Sequence, residues 1–96
     1  KLVRDRILEI IDQAGEVSVS RVLDEKEYLV ELVKKLGEEY EEFKADLNIE
    51  ELADIQEVVL SLADTIASRD ELEKVRAEKA TKRGGFEKRI FLERTE

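Results

Sequence analysis

Apolar side chains recur at helical spacing through most of this chain. Val3, Ile7, Ile10, Ile11 and Ala14 lie on one stripe, which predicts a first helix over Leu2–Ala14 ended by Gly15. Val17–Leu23 then alternates briefly, the signature of an extended segment or short strand. Asp24 with Glu27 three residues on reads as a capping box and opens a second helix running to about Ala45. Its stripe is Leu29, Leu32, Val33, Leu36, Tyr40 and Phe43. Asp46-Leu47-Asn48 is a tight connection, and Asn48 with Glu51 caps a third helix reaching about Ala67. Ser68 with Glu71 caps a fourth, which runs to Lys82 or Arg83 and stops at Gly84-Gly85. Phe86–Leu92 is expected as a short strand or extended tail.

The pattern predicts an all-α protein: one domain over 1–96, a four-helix bundle, with a short β-ribbon expected from Val17–Leu23 and Ile90–Leu92. The third helix is apolar over more than half its circumference (Leu52, Ile55, Val58, Val59, Leu60, Leu62, Ala63, Ile66). In so short a chain, part of that surface is expected to meet another subunit.

Composition narrows the chemistry. Charged residues make up 44% and the net charge is −8, which argues against binding a nucleic-acid polymer. With no Cys and no His, thiolate zinc sites and Cys or His catalysis are excluded, so any metal must sit on oxygen ligands. Magnesium, manganese or calcium would suit. No apolar run reaches membrane-spanning length and no signal peptide is visible, so a cytoplasmic protein without a membrane partner is expected. The sequence opens on Lys1 and holds no Met, which leaves room for residues ahead of it.

Two acidic clusters flank the connection between the second and third helices. With Leu29, Leu36, Tyr40 and Phe43 facing inward, Glu39 falls roughly 70° to one flank and Glu42 lies further round on the same side. Glu38 and Glu41 point outward. Glu51 sits at the edge of the third helix's apolar arc and Asp54 just beyond it. A short connection makes the helices antiparallel, so Glu39, Glu42, Glu51 and Asp54 can converge on a patch the size of one or two magnesium sites. Like charge at a core edge is costly unless a cation neutralises it. A solvated acidic face, with Glu50 and Glu51 favoured next to a helix N-terminus, is the plainer reading of the same residues.

Basic residues gather at both ends. Lys1, Arg4 and Arg6 fall in the opening turns of the first helix, where the dipole disfavours positive charge; holding phosphate and pairing with a neighbouring acid both account for them. Lys79, Lys82 and Arg83 suit a helix C-terminus. Gly84-Gly85 with Lys88 and Arg89 is either a loop able to close over phosphates or a simple helix stop.

Lys1-Leu2-Val3-Arg4-Asp5-Arg6-Ile7, Glu38-Glu39-x-x-Glu42, Glu51-Leu52-Ala53-Asp54 and Arg83-Gly84-Gly85-Phe86-Glu87-Lys88-Arg89 occur in that order. Together they resemble the small, phosphoribosyl-ATP pyrophosphohydrolase-like branch of the MazG-like all-α nucleoside triphosphate pyrophosphohydrolases. The resemblance spans nearly the whole chain, and its end motifs are the more specific part. It implies Glu39, Glu42, Glu51 and Asp54 as magnesium ligands, with manganese as an alternative, and Glu38 as the catalytic group that holds or activates water. Lys1, Arg4, Lys82, Arg83, Lys88 and Arg89 would bind substrate phosphates. The implied reaction is attack of water on the α-phosphorus of a nucleoside triphosphate, non-canonical forms included, in a homodimer or homotetramer. Phosphoribosyl-ATP is the alternative substrate, and a non-catalytic nucleotide-binding or oligomerisation module the alternative of another class. Two departures stand out. Only eight residues separate Glu42 from Glu51, and Leu8 stands where the family's opening motif continues with proline.

Overall fold

Capping residues mark three of the four helix starts in the computed structural model, which describes residues 1–96. Helix α1 spans Ile7–Gln13, α2 Glu25–Ala45, α3 Ile49–Ile66 and α4 Arg69–Arg83. The Asp24, Asn48 and Ser68 side chains accept hydrogen bonds from the backbone N–H of Glu27, Glu51 and Glu71, at 2.8, 2.9 and 3.1 Å. Each satisfies a donor that the first helical turn leaves free. At the other end of α4, Gly84 stops the helix at φ 81°, a left-handed conformation that a side chain would strain.

Helices α2 and α3 pack against each other as an antiparallel hairpin, closed by the three residues Asp46–Asn48. The packed seam holds the buried side chains Leu32, Val58 and Ala63, together with Glu39. Helix α4 packs on α3.

Three expectations change. The first helix begins at Ile7 rather than Leu2, so Lys1 and Arg4 precede it; three cations in one opening turn oppose the helix dipole, and Arg6 at the N-cap offers no capping acceptor. No β-ribbon joins Val17–Leu23 to Ile90–Leu92: no backbone hydrogen bond connects them, and a lone two-stranded ribbon is marginal in water. The 86–92 segment instead opens on a turn closed by the Arg89 N–H donating to the Phe86 carbonyl at 3.1 Å.

The chain is open. Its radius of gyration is 17.7 Å and its extents are 61 × 30 × 21 Å, against roughly 12.5 Å for a compact domain of this length. Its accessible surface is 8911 Å², where a compact monomer of 11.1 kDa would show roughly 5,700 Å².

Candidate metal centre

Glu39 lies on the flank of α2 that turns toward α3, one turn beyond Leu36 and two beyond the buried Leu32. Packing of the hairpin seam therefore carries a carboxylate inward, and Glu39 is 7% exposed. Glu42, three residues on, stays at the surface on the same flank. From the facing helix come Glu51, whose N–H is fixed by the Asn48 cap, and Asp54 one turn later; both are half-buried. The short connection brings the two pairs level. One carboxylate oxygen from each of Glu39, Glu42, Glu51 and Asp54 lies within 4.8 Å of all the others.

The electrostatics of this cluster are unbalanced. Burial raises the Glu39 carboxyl above its ordinary value, and the neighbouring Glu42 carboxylate raises it further. Lys35, whose Nζ is 3.4 Å from Glu39 Oε1, pulls in the opposite direction. Arg4 donates from Nη2 to Asp54 Oδ1 at 2.6 Å, tying the segment ahead of α1 to the hairpin. The positive end of the α3 dipole beside Glu51 offsets more of the charge. Two oxygens still have no partner: Glu39 Oε2 and Glu51 Oε2 are buried and accept no hydrogen bond. Unpaired buried carboxylate oxygens are costly, and a hard divalent cation is the ligand whose chemistry satisfies them. Four oxygen donors and no nitrogen or sulfur suit magnesium, manganese or calcium.

The other sequence candidates are dispersed. Glu38 points away from the cluster, half-exposed, with Lys35 Nζ 3.5 Å from its carboxylate. Arg4 reaches the site, on a carboxylate. Lys82 and Arg83 occupy the last turn of α4, and Lys88 and Arg89 follow it. Neither these four nor Lys1 makes an ion pair with any of the four carboxylates.

Lys35 is the site residue that sequence reading missed. Its side chain is mostly buried and bridges Glu38 and Glu39. The signal was present: Lys35 stands four residues before Glu39 and between Leu32 and Leu36, so its stem must run along the seam.

No protein-family model, curated protein or solved structure matches this chain.

Proposed function

We propose that this protein is a magnesium-dependent nucleotide pyrophosphohydrolase, acting on a nucleoside triphosphate to give the monophosphate and pyrophosphate. The observation that carries the reading is the convergence of Glu39, Glu42, Glu51 and Asp54, with two buried oxygens lacking partners. The order of motifs shared with the MazG-like pyrophosphohydrolases supports the same reaction class. The four carboxylates would hold magnesium, with manganese as a substitute. When bound, the cation would neutralise phosphate charge and lower the pKa of a coordinated water.

The chain's own residues supply the rest. Glu38, on the accessible side of α2 with Lys35 Nζ at 3.5 Å, would have to turn toward the cluster to accept the proton of the attacking water. Lys35 keeps the Glu38 and Glu39 carboxylates in place. Arg4 can exchange Asp54 for a substrate phosphate once the carboxylate charge is neutralised. Lys1, Lys82, Arg83, Lys88 and Arg89 are the remaining phosphate-binding candidates, and stabilise charge on the leaving pyrophosphate if assembly brings them to the site. A cytoplasmic homo-oligomer fits the acidic, open chain.

Pyrophosphate release from a panel of nucleoside triphosphates, deaminated and deoxy forms among them, and from phosphoribosyl-ATP tests the reading. Release should require magnesium and fall at least about a hundredfold in Glu42→Ala, with helix content unchanged. No release from any substrate by folded protein would sink the enzyme reading in favour of a binding module.

A further inference from the structure

Seven large apolar side chains outside the hairpin are at least 71% exposed: Val17, Val19 and Val22 ahead of α2, and Phe86, Ile90, Phe91 and Leu92 after α4. Both segments are extended or irregular, and neither has ladder hydrogen bonds for its backbone. Beyond the turn at Phe86–Arg89, residues 90–92, like residues 17–23, are stretches outside any helix with unpaired backbone and β-branched or aromatic side chains, open to pairing with another chain. We propose that a second copy of this protein covers them, the 86–92 tail of one copy lying along the 17–23 segment of the other.

Three observations fix the occupant. The first is area. The chain exposes 8911 Å², roughly 3,200 Å² more than a compact monomer of its mass. Burying that excess on each of two copies requires an interface of the obligate class, well above the roughly 1,600 Å² of a standard transient complex. The second is charge. Residues 83–92 carry three basic side chains (Arg83, Lys88, Arg89) against one acidic one (Glu87), while residues 16–25 carry three acidic ones (Glu16, Asp24, Glu25) against Arg21. The two arms attract each other, and like arms repel. The third is cis geometry: all 96 residues are placed, and no hydrogen bond or ion pair brings the two arms of one chain together. Paired in trans, each arm satisfies the other's backbone and covers its apolar side chains, and the exchange is reciprocal, as a two-fold dimer requires.

The chain has no cysteine, so engineered thiols report the pairing cleanly. The full chain carrying Phe91→Cys with either Val17→Cys or Val19→Cys, which share one side of the extended segment, would be oxidised at low concentration and run without reductant. The expected product is a covalent dimer, and mixing chains with one thiol each should give a mixed dimer from position 91 and position 17 or 19. An internal disulfide in a monomer would overturn the proposal, as would no cross-link from either pair while circular dichroism shows intact helices. Sedimentation equilibrium supplies a second reading. Val19→Asp should weaken dimerisation roughly tenfold or more, the scale of burying a charge against apolar partners, and an unchanged dimer constant or a monomeric parent chain would equally overturn it. Association is the readout throughout, so the outcome is independent of whether the carboxylate cluster hydrolyses a nucleotide.

Discussion

Leu32 and Phe91 are both large apolar side chains of the same small protein, yet Leu32 is 3% exposed and Phe91 87%. The difference separates two regions. In the α2–α3 hairpin the stripe of one helix finds the stripe of the other after a three-residue turn, so burial follows from local sequence. In the 17–23 and 86–92 arms Leu23 is half-buried, but Val17, Val19, Val22, Phe86, Ile90, Phe91 and Leu92 stay exposed. One region is organised by short-range pattern alone, and the carboxylate cluster lies in it. The other holds surface whose partner must come from elsewhere.

Truncating the two side chains gives the sharpest contrast. Leu32→Ala should lower the stability of the hairpin by about 2–5 kcal/mol, read as a shift of the urea midpoint at any protein concentration. Phe91→Ala should leave that midpoint unchanged in protein diluted below its dissociation constant for self-association. Equal losses for both under dilute conditions would break the distinction between the regions.

Much of the hairpin was legible in the sequence. Asp24, Asn48 and Ser68 each stand three residues before a Glu, and each caps its helix. The choice of Glu39 and Glu42 over Glu38 and Glu41 followed from helical angle, and the structure brings that pair to Glu51 and Asp54. Such readings succeed because α-helical periodicity is local and the connection is too short to allow another arrangement. The start of α1 was misread because apolar spacing outweighed the cost of cations at a helix N-terminus. The ribbon was misread because alternation reports strand propensity and not the presence of a partner. Lys35 went unnoticed because a lysine on an apolar stripe looks like a solvated exception until its Nζ is seen between two carboxylates.

The hairpin's own tension is measurable through pH. Burial holds the Glu39 carboxyl above the ordinary value of 4.5, so the folded chain keeps this proton when the unfolded chain has lost it. For metal-free protein, this group's contribution to stability therefore falls as pH rises from the ordinary carboxylate value through the raised one, and returns on acidification. Glu39→Gln should remove that component of the pH slope, seen as the difference between urea midpoints of the two proteins in a chelator. With magnesium the order should reverse, because a cation favours the ionised carboxylate that the variant lacks. Parallel slopes under both conditions would detach Glu39 from the site.

A more modest effect belongs to the turn that brings the two acidic pairs level. Asn48→Ala removes the acceptor for the Glu51 N–H and should cost about 1 kcal/mol. It should also weaken magnesium binding, since Glu51 loses the bond that fixes its backbone. A stability loss with unaltered magnesium affinity would mean that the cap serves the helix alone.

The smallest effect concerns the one ion pair that joins the N-terminal segment to the hairpin. Arg4 and Asp54 are 50 residues apart in sequence and 2.6 Å apart in space, but both remain substantially exposed. Exposed pairs contribute roughly 0.2–1 kcal/mol, so Arg4→Ala should shift the urea midpoint only slightly. The coupling between Arg4 and Asp54, measured as a double-mutant cycle, should then shrink further when magnesium is added. A cation on Asp54 competes for the same oxygen and leaves the guanidinium free for phosphate. Coupling that stays constant across a magnesium titration would show that Asp54 does not share its charge with a metal, and would reduce the cluster to three carboxylates.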